Sequence, residues 1–139
     1  MVVKNIQITV LMENSKNHFG FKDLKVWQKA LDFADQIIEQ AENLNSVNKH
    51  FRLIEQLEAA SASVSQNIAE GKGRNSQKEF IQYLYISRGS LYETITLLNL
   101  FAKRKWISQQ ILESLEAEAF EIASMIKGLI NSLYKSIQD

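Results

Sequence analysis

Apolar residues recur along this chain at spacings of three and four, which is the pattern of helices that each bury one face. Four such segments cover about residues 23–44, 47–70, 76–103 and 108–136, and short polar or glycine-containing stretches separate them. Short connections place consecutive helices side by side in opposite directions. The pattern therefore predicts an all-α fold, an antiparallel up-down-up-down four-helix bundle over residues 21–139.

Each predicted helix carries a seam of apolar positions that should face the bundle core. In the first helix the seam and its flank comprise Leu24, Trp27, Leu31, Ala34, Ile38, Ala41, Ala30 and Ile37. In the second it comprises Ile54, Leu57, Ser61, Val64 and Ile68. In the fourth it comprises Leu112, Leu115, Ala119, Ile122, Ile126, Leu129 and Leu133, with a second row of Phe120, Ala123, Ile130, Tyr134 and Ile137.

The third predicted helix is apolar over most of its circumference. Its seam is Phe80, Leu84, Ser87, Leu91, Thr94, Leu98 and Phe101. Further apolar residues lie off that seam, among them Tyr85, Ile86, Tyr92 and Leu100. A surface helix of a monomeric bundle shows one apolar stripe, so this helix is either central or part of a subunit interface.

The first twenty residues lack the helical pattern. Residues 6–10 alternate between apolar and polar side chains as a short strand does, and a polar stretch follows. The apolar stretch is too short to span a bilayer and lacks the features of a secretory signal. We expect residues 1–20 to form a flexible extension or a short strand. Met12 offers an alternative start, which would leave residues 1–11 outside the native chain.

Composition argues against several classes of site. The chain has no cysteine, and its sixteen basic and sixteen acidic residues cancel. Overall charge thus gives no case for nucleic-acid or membrane binding, although residues 46–106 are basic between acidic flanks. Neither His18 nor His50 belongs to a Glu-x-x-His pair of the kind that builds metal sites in bundles. We expect a cytoplasmic protein with no catalytic residue, metal or cofactor and no membrane partner.

The link between the second and third helices contains the clearest helix-termination signals. Gly71 and Gly73 are expected to adopt the positive φ that ends a helix. Ser76 and Glu79 form a capping box that starts the next helix. Small residues at 59–63 and 87–90 predict that the two helices approach closely.

The register of this hairpin follows from the position of its turn. With the turn centred near residues 73–74, facing positions sum to about 147. Arg88 then lies near Glu58, either as a solvated ion pair or within a polar network at a subunit interface. Gly89 costs about 1 kcal/mol inside a helix, and close packing is its expected compensation.

Two basic clusters are candidates for nucleic-acid contacts. They comprise Lys72, Arg74, Lys78, Lys103, Arg104 and Lys105. The first three surround the start of the third helix, where free backbone amides favour anions. The last three precede Trp106 at its end. Ordinary helix termination is the alternative explanation of both clusters. In an up-down bundle they lie at opposite ends, and a ring-like oligomer would repeat each of them as a basic crown.

Three longer motifs follow one another along the chain. They are Phe21-x-x-Leu24-x-Val26-Trp27-Gln28-x-Ala30, Asn67-Ile68-Ala69-Glu70-Gly71-x-Gly73-Arg74 and Ser87-Arg88-Gly89-Ser90-Leu91-x-Glu93. Together they resemble the four-helix-bundle family of 23S rRNA intervening-sequence proteins, over about residues 21–134. The candidate assembly motif that this family shares comprises Asn67, Glu70, Gly71, Arg74, Arg88, Gly89, Ser90 and Glu93.

The resemblance implies a left-handed bundle that often forms a homopentamer around a central axis. It also implies a bacterial gene sometimes located inside large-subunit rRNA genes, and no established enzymatic activity. Accessory proteins of diversity-generating retroelements are similar in fold and bind nucleic acid and a reverse transcriptase. The chain departs from the family at Ser65, where many members have proline, so a straighter second helix is expected.

These features predict a non-enzymatic, oligomeric interaction protein whose partner is RNA or a ribonucleoprotein. The neutral net charge weakens the transfer of nucleic-acid binding from strongly basic relatives. The alternative is a protein adaptor, for example for a reverse transcriptase, without direct nucleic-acid contact.

Overall fold

The computed structural model describes residues 17–44 and 50–138. A short 3-10 helix, Gly20–Asp23, precedes four α-helices: α1 (Lys25–Glu42), α2 (Phe51–Lys72), α3 (Gln77–Lys103) and α4 (Gln109–Gln138). These described ranges contain no strand, which confirms the all-α prediction. The strand predicted at residues 6–10 and the predicted start of the second helix at residue 47 lie outside them. Helix α2 continues without a break through Ser65.

Serine side chains begin α3 and α4, and the capping box predicted at Ser76 is confirmed. Ser76 Oγ accepts a hydrogen bond from the backbone N–H of Glu79 at 3.2 Å. Ser108 Oγ accepts one from the N–H of Ile111 at 3.1 Å. Each bond satisfies a donor that the first helical turn leaves free, so the two helices start where a side-chain acceptor is available.

Helix α3 ends in a Schellman motif that has lysine where glycine is usual. Lys105 has φ 62°, its N–H donates to the carbonyl of Ala102 at 3.0 Å, and the N–H of Trp106 donates to that of Phe101 at 2.9 Å. The rings of Phe101 and Trp106 meet edge to face with centroids 4.9 Å apart. Phe101 is the third-last residue of the helix and Trp106 is the second residue after the C-cap. An apolar contact between these two positions typically accompanies a Schellman motif. Trp106 thus closes this end of the core.

The helices pack as a four-helix bundle around one core. Each helix contacts its neighbours in sequence, and α1 also contacts α4. Between α2 and α3, Ser63 lies opposite Ser90 and Glu70 opposite Tyr83, so the chain reverses direction between these two helices. The largest fully buried side chains are Phe33, Ile37, Leu57, Val64, Ile68, Leu84, Leu91, Thr94, Leu98, Phe101, Ile122 and Ile126.

The buried face of α1 differs from the predicted seam. The residues that it buries are Val26, Ala30, Phe33, Ala34, Ile37 and Ala41. Leu31 is 45% exposed, and Leu24, Trp27 and Ile38 are only half-buried. Two neighbouring rows of α1 share the spacing of three and four. Burial of Phe33, which the predicted seam omits, turns the other row toward the surface.

Gly73 ends α2 as predicted, but the positive φ expected of Gly71 and Gly73 and the terminating role of Gly71 are wrong. Among the described residues no glycine has a positive φ, and Gly73 ends α2 with φ −80° and ψ −4°. Gly71 lies inside α2 and is buried against α3. A Cβ built on it would come within 2.6 Å of Tyr83 Cβ and 2.9 Å of Phe80 Cδ1. Glycine is therefore required at residue 71 by the close approach of α3 and not by the end of the helix.

The register of the hairpin also differs from the prediction. The pairs Ser63–Ser90 and Val64–Ser87 have residue numbers that sum to 153 and 151. Helix α2 extends to Lys72, and residues 73–76 then separate it from α3, so the turn is centred later than expected. Arg88 consequently lies level with Val64, about 9 Å along the helix axis from Glu58.

Two expectations that depend on the predicted register are therefore also wrong. The described residues include no ion pair between Arg88 and Glu58. Gly89 is exposed, and a Cβ added there would meet no atom within 4 Å. Close packing inside the chain therefore does not compensate for the glycine at this position.

Candidate interaction surfaces

Small polar side chains join α2 to α3 at the centre of the hairpin. The hydroxyl oxygens of Ser63 and Ser90 lie 2.8 Å apart, and Asn67 Nδ2 donates to the carbonyl and hydroxyl oxygens of Ser63 at 2.8 and 2.9 Å. Ser87 is fully buried and donates to the carbonyl oxygen of Val64 at 2.7 Å. Buried polar groups stabilise a fold only when they are paired. These bonds therefore favour one register of the two helices.

Glu70, Arg74 and Tyr83 form a second polar cluster at the turn. Arg74 Nη2 lies 2.9 Å from Glu70 Oε1 and donates a hydrogen bond to the hydroxyl of Tyr83. The guanidinium carbon also lies 4.8 Å from the centroid of the Tyr83 ring. Tyr83, and then Glu70, raise the pKa of Arg74 because both favour its charged form. Arg74, a candidate nucleic-acid contact, is thus already engaged within the chain.

The candidate assembly motif divides between the hairpin and the outer surface. Its members Asn67, Glu70, Gly71, Arg74 and Ser90 contact other hairpin residues as described above. Its members Arg88, Gly89 and Glu93 are instead on the outer side of α3, with Gly89 and Glu93 exposed. The hairpin contacts account for the first group within one chain. The participation of the motif in contacts between subunits remains a prediction for all of its residues.

The two basic clusters lie at opposite ends of α3. Lys72 and Lys78 are exposed around its start, and residues 103–105 are exposed at its end. Helix α3 has 27 residues, which correspond to about 40 Å at the usual rise per residue. Within the described part of the chain, the two clusters are therefore two separate basic tips.

Two apolar hollows lie between the outer sides of α3 and α4. One, of about 480 Å³, is lined by Tyr92, Phe120 and their neighbours, and the other, of about 290 Å³, by Tyr85, Tyr134 and theirs. Phe120 is 75% exposed and Tyr92 is 56% exposed. The guanidinium carbon of Arg88 lies 4.8 Å from the ring centroid of Tyr85 and 5.8 Å from that of Tyr92. We refer to Tyr85, Arg88, Tyr92, Phe120 and Tyr134 together as the aromatic groove.

Tyr85 of α3 and Tyr134 of α4 line the same part of this groove. Tyr85 raises the pKa of Tyr134, chiefly by hydrogen bonding that favours the protonated form and then through electrostatic repulsion of a second negative charge. Phe120 and Tyr134 belong to the second apolar row that the sequence shows on the fourth helix, and their exposure of 75% and 44% places them at the surface. Phe120, Lys127 and Tyr134 follow one another at intervals of seven. The lysine between two aromatic residues of this row is the sequence signal that could have identified this side of α4 as surface.

The described ranges offer no sign of two other kinds of site. No group of three or more His, Asp or Glu residues in them is arranged to hold a metal ion. No helix in the same part of the chain combines the length and the apolar character needed to cross a membrane.

Comparison with known proteins identifies the family. The family model of the 23S rRNA-intervening sequence protein matches residues 22–128, from the 3-10 helix into α4. The chain belongs to this family. The match confirms the resemblance drawn from the three motifs, all of which except Phe21 fall within the matched residues. No curated protein matches the chain.

A solved structure supports the same fold for this 23S rRNA-intervening sequence family member. It is the crystal structure of a protein of unknown function from the S23 ribosomal protein family of Bacteroides thetaiotaomicron. The two chains are 28% identical and superpose with a TM-score of 0.71, and the match covers 76% of this chain and 97% of that one. The bundle is thus shared over nearly the whole length of the solved relative.

Proposed function

We propose that the protein is a non-enzymatic, self-associating member of its family whose partner is RNA or a ribonucleoprotein in the cytoplasm. The observation that carries self-association is the exposure of the aromatic groove, above all of Phe120. Contiguous exposed apolar surface on a soluble domain marks an interaction site. Tyrosine, phenylalanine and arginine are also the residues enriched at protein interfaces.

A closed ring is the form of assembly that best suits the basic tips. Each copy carries one exposed basic cluster at each end of α3, and the chain as a whole is neutral. A cyclic oligomer repeats each tip around its axis, and the resemblance favours a pentamer. Such a crown would concentrate positive charge that a single copy does not have. Phosphate contacts by lysine and arginine then supply the affinity for RNA.

Native mass spectrometry and sedimentation velocity test the self-association. We expect an oligomer for the natural chain and a lower mass for the double variant Tyr92→Glu Phe120→Glu, because each carboxylate would have to be desolvated in the interface. Phe51→Glu is the matched control, since Phe51 is 63% exposed and lies outside the groove. A monomeric natural chain at micromolar concentration would reject this part of the proposal.

A salt series with a hairpin from large-subunit rRNA tests the RNA part. Replacing Lys72, Lys78, Lys103 and Arg104 by glutamine should weaken binding and lower the slope of log affinity against log salt by about 0.7–0.9 for each lost phosphate contact. Lys22→Gln Lys25→Gln is the control, because both lysines are exposed and lie in neither cluster. Absence of salt-sensitive binding rejects RNA. A specific protein captured after nuclease treatment would then support the adaptor function.

A further inference from the structure

The outer side of α1 carries an apolar row that the chain itself does not cover. Leu31 is 45% exposed and Ile38 is half-buried, and together with Asp32 and Asp35 they form one patch on the outer side of α1. Neither aspartate belongs to an ion pair within the described residues. We call Leu31, Asp32, Asp35 and Ile38 the acidic ridge. Its two apolar residues belong to the seam that the sequence predicts for a helix partner.

The aromatic groove presents the same spacing with a positive charge, Arg88, between its two tyrosines, although the carboxylate of Glu116 also lines its larger part. Tyr85 and Tyr92 are seven residues apart on α3, as Leu31 and Ile38 are on α1. A charged residue stands between the members of each pair, arginine at 88 and aspartate at 35. Helix pairs with a repeat of seven pack with their apolar positions in register. The described residues supply no carboxylate partner for Arg88.

We propose that the acidic ridge of one copy of this chain docks in the aromatic groove of a second copy. Leu31 and Ile38 would pack against Tyr85, Tyr92 and Phe120, and Asp35 would pair with Arg88. The inference rests on the proposed self-association and specifies which surfaces form it. Tyrosine and arginine in the centre of an interface commonly dominate its affinity. The charge pair adds specificity and orientation.

The two surfaces lie on different helices, so the contact is heterologous. Each copy offers one ridge on α1 and one groove on α3 and α4, and successive copies join head to tail. The symmetric alternatives are electrostatically unfavourable. A groove-to-groove dimer brings two copies of Arg88 together, and a ridge-to-ridge dimer brings together Asp32 and Asp35 of both copies. Head-to-tail contacts that close on themselves produce a ring.

A mixing experiment tests this arrangement. The ridge variant is Leu31→Arg Asp35→Arg, and the groove variant is Tyr92→Glu Phe120→Glu. Each variant alone should be monomeric by native mass spectrometry, because each lacks one of the two surfaces that a ring requires. An equimolar mixture should form a heterodimer that does not grow, since the intact groove of the ridge variant accepts the intact ridge of the groove variant. Circular dichroism confirms that both variants keep their helices.

The outcomes separate this inference from the proposed function. If the natural chain is oligomeric and the ridge variant keeps the natural mass, the acidic ridge is not in the interface and the inference is wrong. A mixture that stays monomeric overturns it as well. If the natural chain is itself monomeric, the proposed self-association fails.

Single charge reversals provide a milder test if either double variant unfolds. Asp35→Arg and Arg88→Glu should each weaken assembly about tenfold or more, and combining them in one chain should restore most of the loss. Lys29→Glu is the control for a reversal on α1, because Lys29 pairs with Glu121 on the side of α1 that faces α4. Equal losses in the single and combined variants would contradict the pairing of residues 35 and 88.

Discussion

Gly71 in α2 and Tyr83 in α3 approach so closely that a Cβ on the glycine would lie 2.6 Å from the Cβ of the tyrosine. The backbones of α2 and α3 therefore lie close together at this point of the hairpin. Immediately beside it, Tyr83 and Glu70 hold the guanidinium of Arg74. The glycine and the polar cluster therefore belong to one structural unit, which explains why the motif contains both an unusual small residue and charged residues.

Gly71→Ala should destabilise the protein. Overpacking typically costs about 1–3 kcal/mol, and the better helix propensity of alanine returns at most about 1 kcal/mol. The measurement is the free energy of unfolding by urea. Gly128→Ala is the matched control, because a Cβ at Gly128 in α4 meets no atom within 4 Å. The control should be stabilised by about 0.5–1 kcal/mol. Equal changes in the two variants would show that the close approach at residue 71 is absent.

Lys105→Gly should stabilise the protein, since Lys105 holds a positive φ of 62° that glycine adopts without strain. The expected gain over a non-glycine residue is about 1 kcal/mol. Lys105→Ala removes the same charge and keeps the strain, so the difference in unfolding free energy between the glycine and alanine variants isolates the backbone effect. If the alanine variant is as stable as the glycine variant, residue 105 does not adopt this conformation in solution.

Ser87→Ala should cost about 1 kcal/mol, because the buried hydroxyl of Ser87 bonds to the Val64 carbonyl across the hairpin. Ser124→Ala is the control: Ser124 is exposed, and its hydroxyl bonds only within α4 to the carbonyl of Phe120. That variant should change the free energy of unfolding by less than about 0.5 kcal/mol. Thermal or urea unfolding of both variants provides the comparison. A loss no larger than that of the control would mean that the Ser87 bond does not stabilise the hairpin.

The bounds of α3 could be predicted from the sequence because both of its ends carry local chemistry. Ser76 caps the start, and the predicted last residue, Lys103, is the observed one. The role of Gly71 could not be predicted locally. A glycine near a helix end suits a terminator and a close approach equally well, and only the position of Tyr83 on the other helix decides between them.

The exposed face of α1 illustrates the same limit at the level of packing. The row with Leu31 and the row with Phe33 both satisfy helical periodicity, so the pattern could not tell which of them turns inward. The register of the hairpin likewise depends on where its turn is centred. The turn is centred a few residues later than predicted, so Arg88 does not lie beside Glu58. The surplus apolar residues of α3 predict either a central helix or a subunit interface, and Tyr85 and Tyr92 are in fact exposed. The second apolar row of α4 gives no sign in the sequence that Phe120 is exposed as well.

Ionisation of Tyr134 should occur at higher pH than that of an unperturbed tyrosine. Tyr85 raises the pKa of Tyr134 above the ordinary value of 10.0 by hydrogen bonding to its protonated form and by disfavouring a second negative charge beside it. A raised pKa in the folded state means that the folded chain binds the proton more tightly than the unfolded chain. The stabilising contribution of this pair is thus complete below pH 10.0 and is lost as the pH rises through the folded-state pKa.

Absorbance of tyrosinate during an alkaline titration measures this shift. Tyr85→Phe removes both causes, so Tyr134 should then ionise at lower pH than it does in the natural chain. Tyr92→Phe is the control, because Tyr92 is not among the causes of the raised pKa and its loss should leave the late ionisation in place. A titration in which Tyr85→Phe and Tyr92→Phe give the same curve would contradict direct contact between Tyr85 and Tyr134. The difference between these two variants therefore reports whether α3 and α4 meet across the aromatic groove in solution.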